Sequence, residues 1–106
     1  MPMYVTLIDW TDQGVRGAAE TVDRYEAAAQ RFQEMGITFR DIYWTIGAHD
    51  ITAIVDAPDD ATLAAALLTL AGQGNVRTTT MRAFSRDEMR DVIGRMPATT
   101  ATGSAS

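Results

Sequence analysis

Cysteine is absent from this chain and so is lysine: the nine basic residues are all arginine, and one histidine, His49, stands beside them. Without cysteine, disulfide scaffolding, thiolate catalysis and Cys-ligated zinc or iron–sulfur sites are excluded. Without lysine, Schiff-base chemistry and the lysine of a phosphate-binding loop are excluded as well. No apolar run approaches the roughly 20 residues of a membrane span. The N-terminus lacks a basic region leading into an apolar stretch with a cleavage site, so no membrane is implied and the expected location is the cytoplasm.

Acid exceeds base, giving a formal net charge of −5. That balance argues against nucleic acid, whose binding rests on clustered cations neutralising phosphates. Arg77, Arg82, Arg86, Arg90 and Arg95 do gather in the last third. However, Asp87, Glu88 and Asp91 interleave with them, which reads as a mixed, solvated helix face. At 106 residues the chain fits one domain, small enough that self-association adds usefully to its core.

What is present is periodic. Residues 3–9, MYVTLID, alternate Val5 and Leu7 against Tyr4, Thr6 and Ile8 and predict a first strand. Thr11 or Asp12 can cap a helix, and Val15, Ala18, Val22, Tyr25, Ala29 and Phe32 recur at helical spacing up to Gly36. Residues 37–47 predict a second strand, with Ile42, Trp44 and Ile46 opposite Asp41, Tyr43 and Thr45. A short connection through His49 leads to a third strand, ITAIVDA, which is apolar on both faces as a central strand should be. Pro58 stops it, and Asp59 or Asp60 caps a helix carrying Leu63, Leu67 and Leu70. NVRTTTMRAF is a fourth strand, and Ser85 with Glu88 forms a capping box for a last helix bearing Met89, Val92, Ile93 and Met96. Residues 97–106 hold no large apolar group and are expected to form a flexible tail to a domain spanning residues 1–96.

The order β-α-β-β-α-β plus a terminal helix predicts an α+β, ferredoxin-like fold: a four-stranded antiparallel sheet with strands one and three central and both helices on one face. The other face would then be bare. Either assignment of the strand residues leaves aromatic and aliphatic groups on it, which marks an interface or a pocket.

Three stretches, MPMYVTLIDWTDQG, YWTIGAHDITAIVDAPDD and GNVRTTTMRAFSRDE, together resemble the GYD-domain proteins, small bacterial chains named for a Gly-x-Tyr-Asp element at the hairpin. Here His49 stands where that element has tyrosine, while Gly47 and Asp50 keep their places. The resemblance implies a dimeric α+β-barrel type of ferredoxin-like domain, and it implies no activity.

His49 and Asp50 read either as an acid–base pair or as hairpin residues, the carboxylate bonding turn amides. Adjacent strand residues point to opposite faces, which favours the second reading. No metal-ligand spacing is visible. Tyr4, Thr6, Tyr43, Thr45, Thr52, Thr80 and Arg82 are the polar strand residues; they line a cavity on the bare face, or else threonine is there as a strand former and Arg82 pairs with Asp9, Asp41 or Asp56. The predicted ligand is an oxyanion held near the hairpin end by Thr6, Tyr43, His49 and Arg82, between the bare face and a symmetry mate. Trp10 and Trp44 read as core or interface anchors. Three functions stay open: a small-molecule-binding or sensor domain, a cofactor-free or haem-assisted small enzyme with His49 as the group to examine, and a structural self-assembly protein.

Overall fold

A computed structural model describes residues 1–98, so most of the expected tail lies outside the described residues. The elements are β1 (Met3–Trp10), α1 (Asp12–Arg16), a 3-10 turn (Ala18–Glu20), α2 (Thr21–Glu34), β2 (Thr38–Trp44), β3 (Ile51–Asp56), α3 (Asp60–Gly72), β4 (Val76–Ala83) and α4 (Arg86–Gly94). The strands form one antiparallel sheet in the order β2-β3-β1-β4, with β1 and β3 central. This is the ferredoxin-like α+β arrangement with an added C-terminal helix. None of the described helices is long and apolar enough to cross a membrane.

Alternation assigns the two sheet faces. Tyr4, Thr6 and Ile8 on β1 and Ile51, Ala53 and Val55 on β3 point under the helices and are buried. There they meet Phe32 of α2, Leu63 and Ala66 of α3, and Ile37. Val5 and Leu7, the more apolar set of β1, point the other way onto the uncovered face. β2 keeps both Phe39 and Ile42 on the covered face although they are three residues apart, because a bulge between Phe39 and Asp41 shifts the register. Ile46, expected to continue that stripe, lies beyond the strand and is fully exposed.

The single helix expected from Val15 to Met35 is instead α1, a 3-10 turn and α2. The break falls at Gly17, whose carbonyl and that of Gly14 accept from the Arg24 guanidinium at 2.6 and 3.3 Å. The stripe that packs inward is correspondingly shorter, Ala28 and Phe32 with half-buried Tyr25 and Ala29, while Val15 and Val22 are exposed.

The caps follow their sequence signals. Asp59 accepts from the Thr62 amide at 2.7 Å at the start of α3, and that bond holds its carboxyl below the usual range. Ser85 and Glu88 form both arms of a capping box on α4. Thr11 caps α1 through the Gly14 amide at 3.0 Å.

Thr11 also reaches across the molecule. Its amide donates to the Asn75 carbonyl at 3.0 Å and its hydroxyl to the Gly74 carbonyl at 2.5 Å, while the Gln13 amide nitrogen donates to Gln73 and Asn75 at 3.0 Å each. Thr11, Gly14, Gly74 and Asn75 thus form one junction between the end of β1 and the start of β4. A Cβ on Gly14 would lie 1.9 Å from the Asn75 carbonyl oxygen, so only glycine fits. Replacing Gly14 by alanine is expected to destabilise the fold by about 1–3 kcal/mol through this overpacking, measured by denaturant unfolding. An unchanged midpoint would show that the junction yields freely.

Candidate functional site

The hairpin between β2 and β3 is built around Asp50. Its carbonyl accepts from the Thr45 amide at 2.8 Å, its amide donates to the Ile8 carbonyl at 3.0 Å, and its carboxylate accepts from the Trp10 amide at 2.9 Å. Asp50 therefore ties the loop to β1, and Gly47, at φ +137°, supplies a conformation in that loop that side chains disfavour. Thr45 adds a bond to the His49 carbonyl at 2.6 Å. With the loop so fixed, His49 places Nδ1 at 3.1 and 3.3 Å from the two carboxylate oxygens of Asp9. The histidine pairs with Asp9 rather than with Asp50. Both members of this pair are open to water, with side chains 37% and 39% exposed, so the contact contributes little to stability.

The four residues expected to share one ligand do not converge. Thr6 points under the helices, is buried, and shares a 3.1 Å hydroxyl contact with Thr80. Tyr43 lies on the uncovered face and is well exposed. Arg82 pairs in register with Tyr4 at the start of β1, whereas His49 sits beside Asp9 near its end. Five residues of strand separate these positions, about 17 Å at roughly 3.4 Å per residue. The expectation that hairpin tip and Arg82 share one sheet end is thereby corrected: every strand pair is antiparallel, so the end of β4 returns to the start of β1, away from the hairpin. Arg82 is also engaged locally. It donates to the Met3 and Ala83 carbonyls and lies 4.6 Å from the Phe84 ring and 5.7 Å from the Tyr4 ring. It pairs with none of Asp9, Asp41 and Asp56, and Asp56 instead faces Arg40 at 3.4 Å.

Two features escaped the sequence. One is the Tyr4 hydroxyl, which donates to Asp60 at the first turn of α3 and so pins that helix to the sheet. The other is a cavity of about 70 Å³ beneath the helices, walled by Ile8, Trp10, Tyr25, Phe39, Ile42 and Val76 with Arg24 among its polar groups. Residue spacing gives no sign of a space between packed elements. His49 takes no part in that cavity. Among the described residues no three His, Asp or Glu side chains gather as a metal site.

The sequence profile of the GYD domain matches residues 4–93. The chain belongs to the GYD domain family. A relative from Thermus thermophilus, named glutamine synthetase and cystathionine beta-lyase binding protein, is 31% identical over 97 residues, covering 91% of this chain and 99% of its own length. No solved structure matches this chain. In this GYD domain Gly47 and Asp50 shape and anchor the hairpin, and His49, immediately before Asp50, is held beside Asp9 of β1.

The Tyr4–Asp60 bond raises the phenol above its ordinary value, with burial and the Asp60 and Asp59 charges adding and Arg82 opposing. A tyrosine whose folded value is raised contributes stability that is complete below its unfolded value, about 10, and is lost as the pH rises through the folded one. Tyr4→Phe is expected to cost about 1 kcal/mol at neutral pH, the effect of a hydrogen bond whose acceptor is solvent-exposed. The difference between wild type and variant should shrink above pH ~10, as followed by chemical denaturation. A constant difference across that range would show that the hydroxyl bond contributes nothing.

Proposed function

We propose that this chain is a non-catalytic protein-binding module: a homodimer closed over its uncovered sheet faces that offers the apolar side of α4 to a larger enzyme. The observation that carries the reading is the uncovered face. Ile54, Val5 and Met81 stand side by side across β3, β1 and β4, with Tyr43 and Leu7 in the adjoining row. Charges of both signs, Asp9 and Arg77 at one end and Arg40 and Asp56 at the other, rim this band. An apolar centre inside a mixed-charge rim has the anatomy of an interface. A two-fold pairing would set the same patch against itself.

α4 supports the second half. Among the described residues it makes no extended contact with any other element, and Met89 and Ile93 on it and Met96 just beyond it are exposed at spacings of four and three. That is the anchor pattern of a helix laid into a groove. The Thermus relative is named for binding glutamine synthetase and cystathionine beta-lyase, and enzymes of that kind from this chain's own host are the partners proposed here. Catalysis has less support, because the one histidine faces a single exposed carboxylate and no nucleophile stands beside it.

Light scattering should report twice the chain mass for wild type, and Leu7→Glu should give a folded monomer. Ile93→Asp should remain a dimer yet lose about tenfold or more in affinity for the host's glutamine synthetase or cystathionine beta-lyase, because a charge replaces a buried anchor. A monomeric wild type would overturn the dimer. An Ile93→Asp variant that binds as wild type, or a wild type that binds neither enzyme, would overturn the role of α4.

A further inference from the structure

The cavity beneath the helices lies on the opposite side of the sheet from the proposed dimer face and does not depend on that reading. Helix α2 packs along β2 and helix α3 along β4. Between them a gap opens over the sheet, floored by Ile8, Ile42 and Ile51 and flanked by the Trp10, Tyr25 and Phe39 rings. Its volume of about 70 Å³ is several times the roughly 10–15 Å³ that one water needs. Walls so largely apolar hold water poorly, and the gap is only partly enclosed, so a branched aliphatic group or the edge of a phenyl ring inserts between them with the rest of the molecule at the mouth.

One full charge stands in this wall. The Arg24 guanidinium remains protonated in any protein setting and presents five N–H donors. Two of its nitrogens bond the Gly14 and Gly17 carbonyls, which fixes the fork in place. No carboxylate among the described residues forms an ion pair with it; Glu20, one turn earlier in the chain, is close but does not pair. A half-buried arginine with donors to spare, set in an aromatic cavity, is complementary to a small molecule with an apolar body and an anionic head. We propose that this cavity binds a small aromatic or branched-chain carboxylate, its hydrocarbon part among Trp10, Tyr25 and Phe39 and its carboxylate on Arg24. Arginine was the expected reader of the anion, and the arginine in the wall of this cavity is Arg24, not Arg82.

Phenylacetate and its uncharged isostere phenylacetamide separate the charge from the shape. In proton–nitrogen correlation spectra, phenylacetate should shift the Trp10 indole N–H saturably at millimolar concentration. Phenylacetamide should bind about tenfold more weakly, the effect of losing a charge-assisted hydrogen bond. Arg24→Gln should bring the acid down to the level of the amide, and Ala28→Leu, which fills the cavity from α2, should abolish both. The comparison of acid with amide on the wild-type protein needs no variant, so a misfolded substitution leaves the test intact. Equal binding of acid and amide, no shift at Trp10, or an Arg24→Gln variant that binds the acid as wild type would each overturn the proposal.

Discussion

The junction of Thr11 and Gly14 with Gly74 and Asn75 is the constraint on which the rest of this structure depends. β1 is central and β4 is an edge strand, and the two meet where one has just ended and the other is about to begin. Each hydrogen bond there contributes only about 0.5–1.5 kcal/mol net. Their joint effect is geometric: they press the backbone of α1 onto the Asn75 carbonyl with no room for a Cβ. α1 in turn presents the Gly14 and Gly17 carbonyls that hold Arg24, and Arg24 lies on the first turn of α2. Thus the position of one charged group at the cavity follows from a backbone contact some distance away.

A second consequence of alternation is that β1 turns its more polar set inward. Tyr4 and Thr6 are buried, while Val5 and Leu7 face outward. Hydrophobicity alone would have chosen the reverse. The buried hydroxyls are tolerated because each has a partner at hand, Asp60 for Tyr4 and Thr80 for Thr6, so neither leaves an unsatisfied polar group. The apolar set is then left on a face that no element among the described residues covers, which is the physical basis for reading that face as an interface.

Much of this was legible in the sequence because it rests on local chemistry. The element order, a cap at Thr11 or Asp12 and another at Asp59 or Asp60, the Ser85–Glu88 box and the stop at Pro58 all follow from side chains acting within a few residues of themselves. The central place of β3 was legible too, from its apolar residues on both faces. Three things were hidden. The bulge at Arg40 leaves the apolar pattern of β2 ambiguous, and the break at Gly17 depends on an arginine seven residues further along. The ligand site failed for a different reason: arginine was the expected anion-reading residue, but in the antiparallel order that the sequence itself predicted, Arg82 and His49 fall at opposite ends of β1. Register and cavities are properties of how elements meet, and no single stretch encodes them.

Period-two alternation finally sets the two proposed sites back to back. Ile8 and Trp10 enter the cavity wall, whereas Leu7 and Asp9, their neighbours on β1, belong to the uncovered face. A ligand that alters how β1 sits would therefore act on the proposed dimer face across a single layer of backbone. Such coupling requires that the ligand distinguish two arrangements of the sheet, since a ligand bound equally by both shifts neither. Where it does distinguish them, the effect is reciprocal: the factor by which a carboxylate changes dimer affinity is the factor by which dimerisation changes carboxylate affinity. For the proposed cavity ligand such a response needs no catalytic group: an arginine in the cavity wall and a strand shared by two faces suffice.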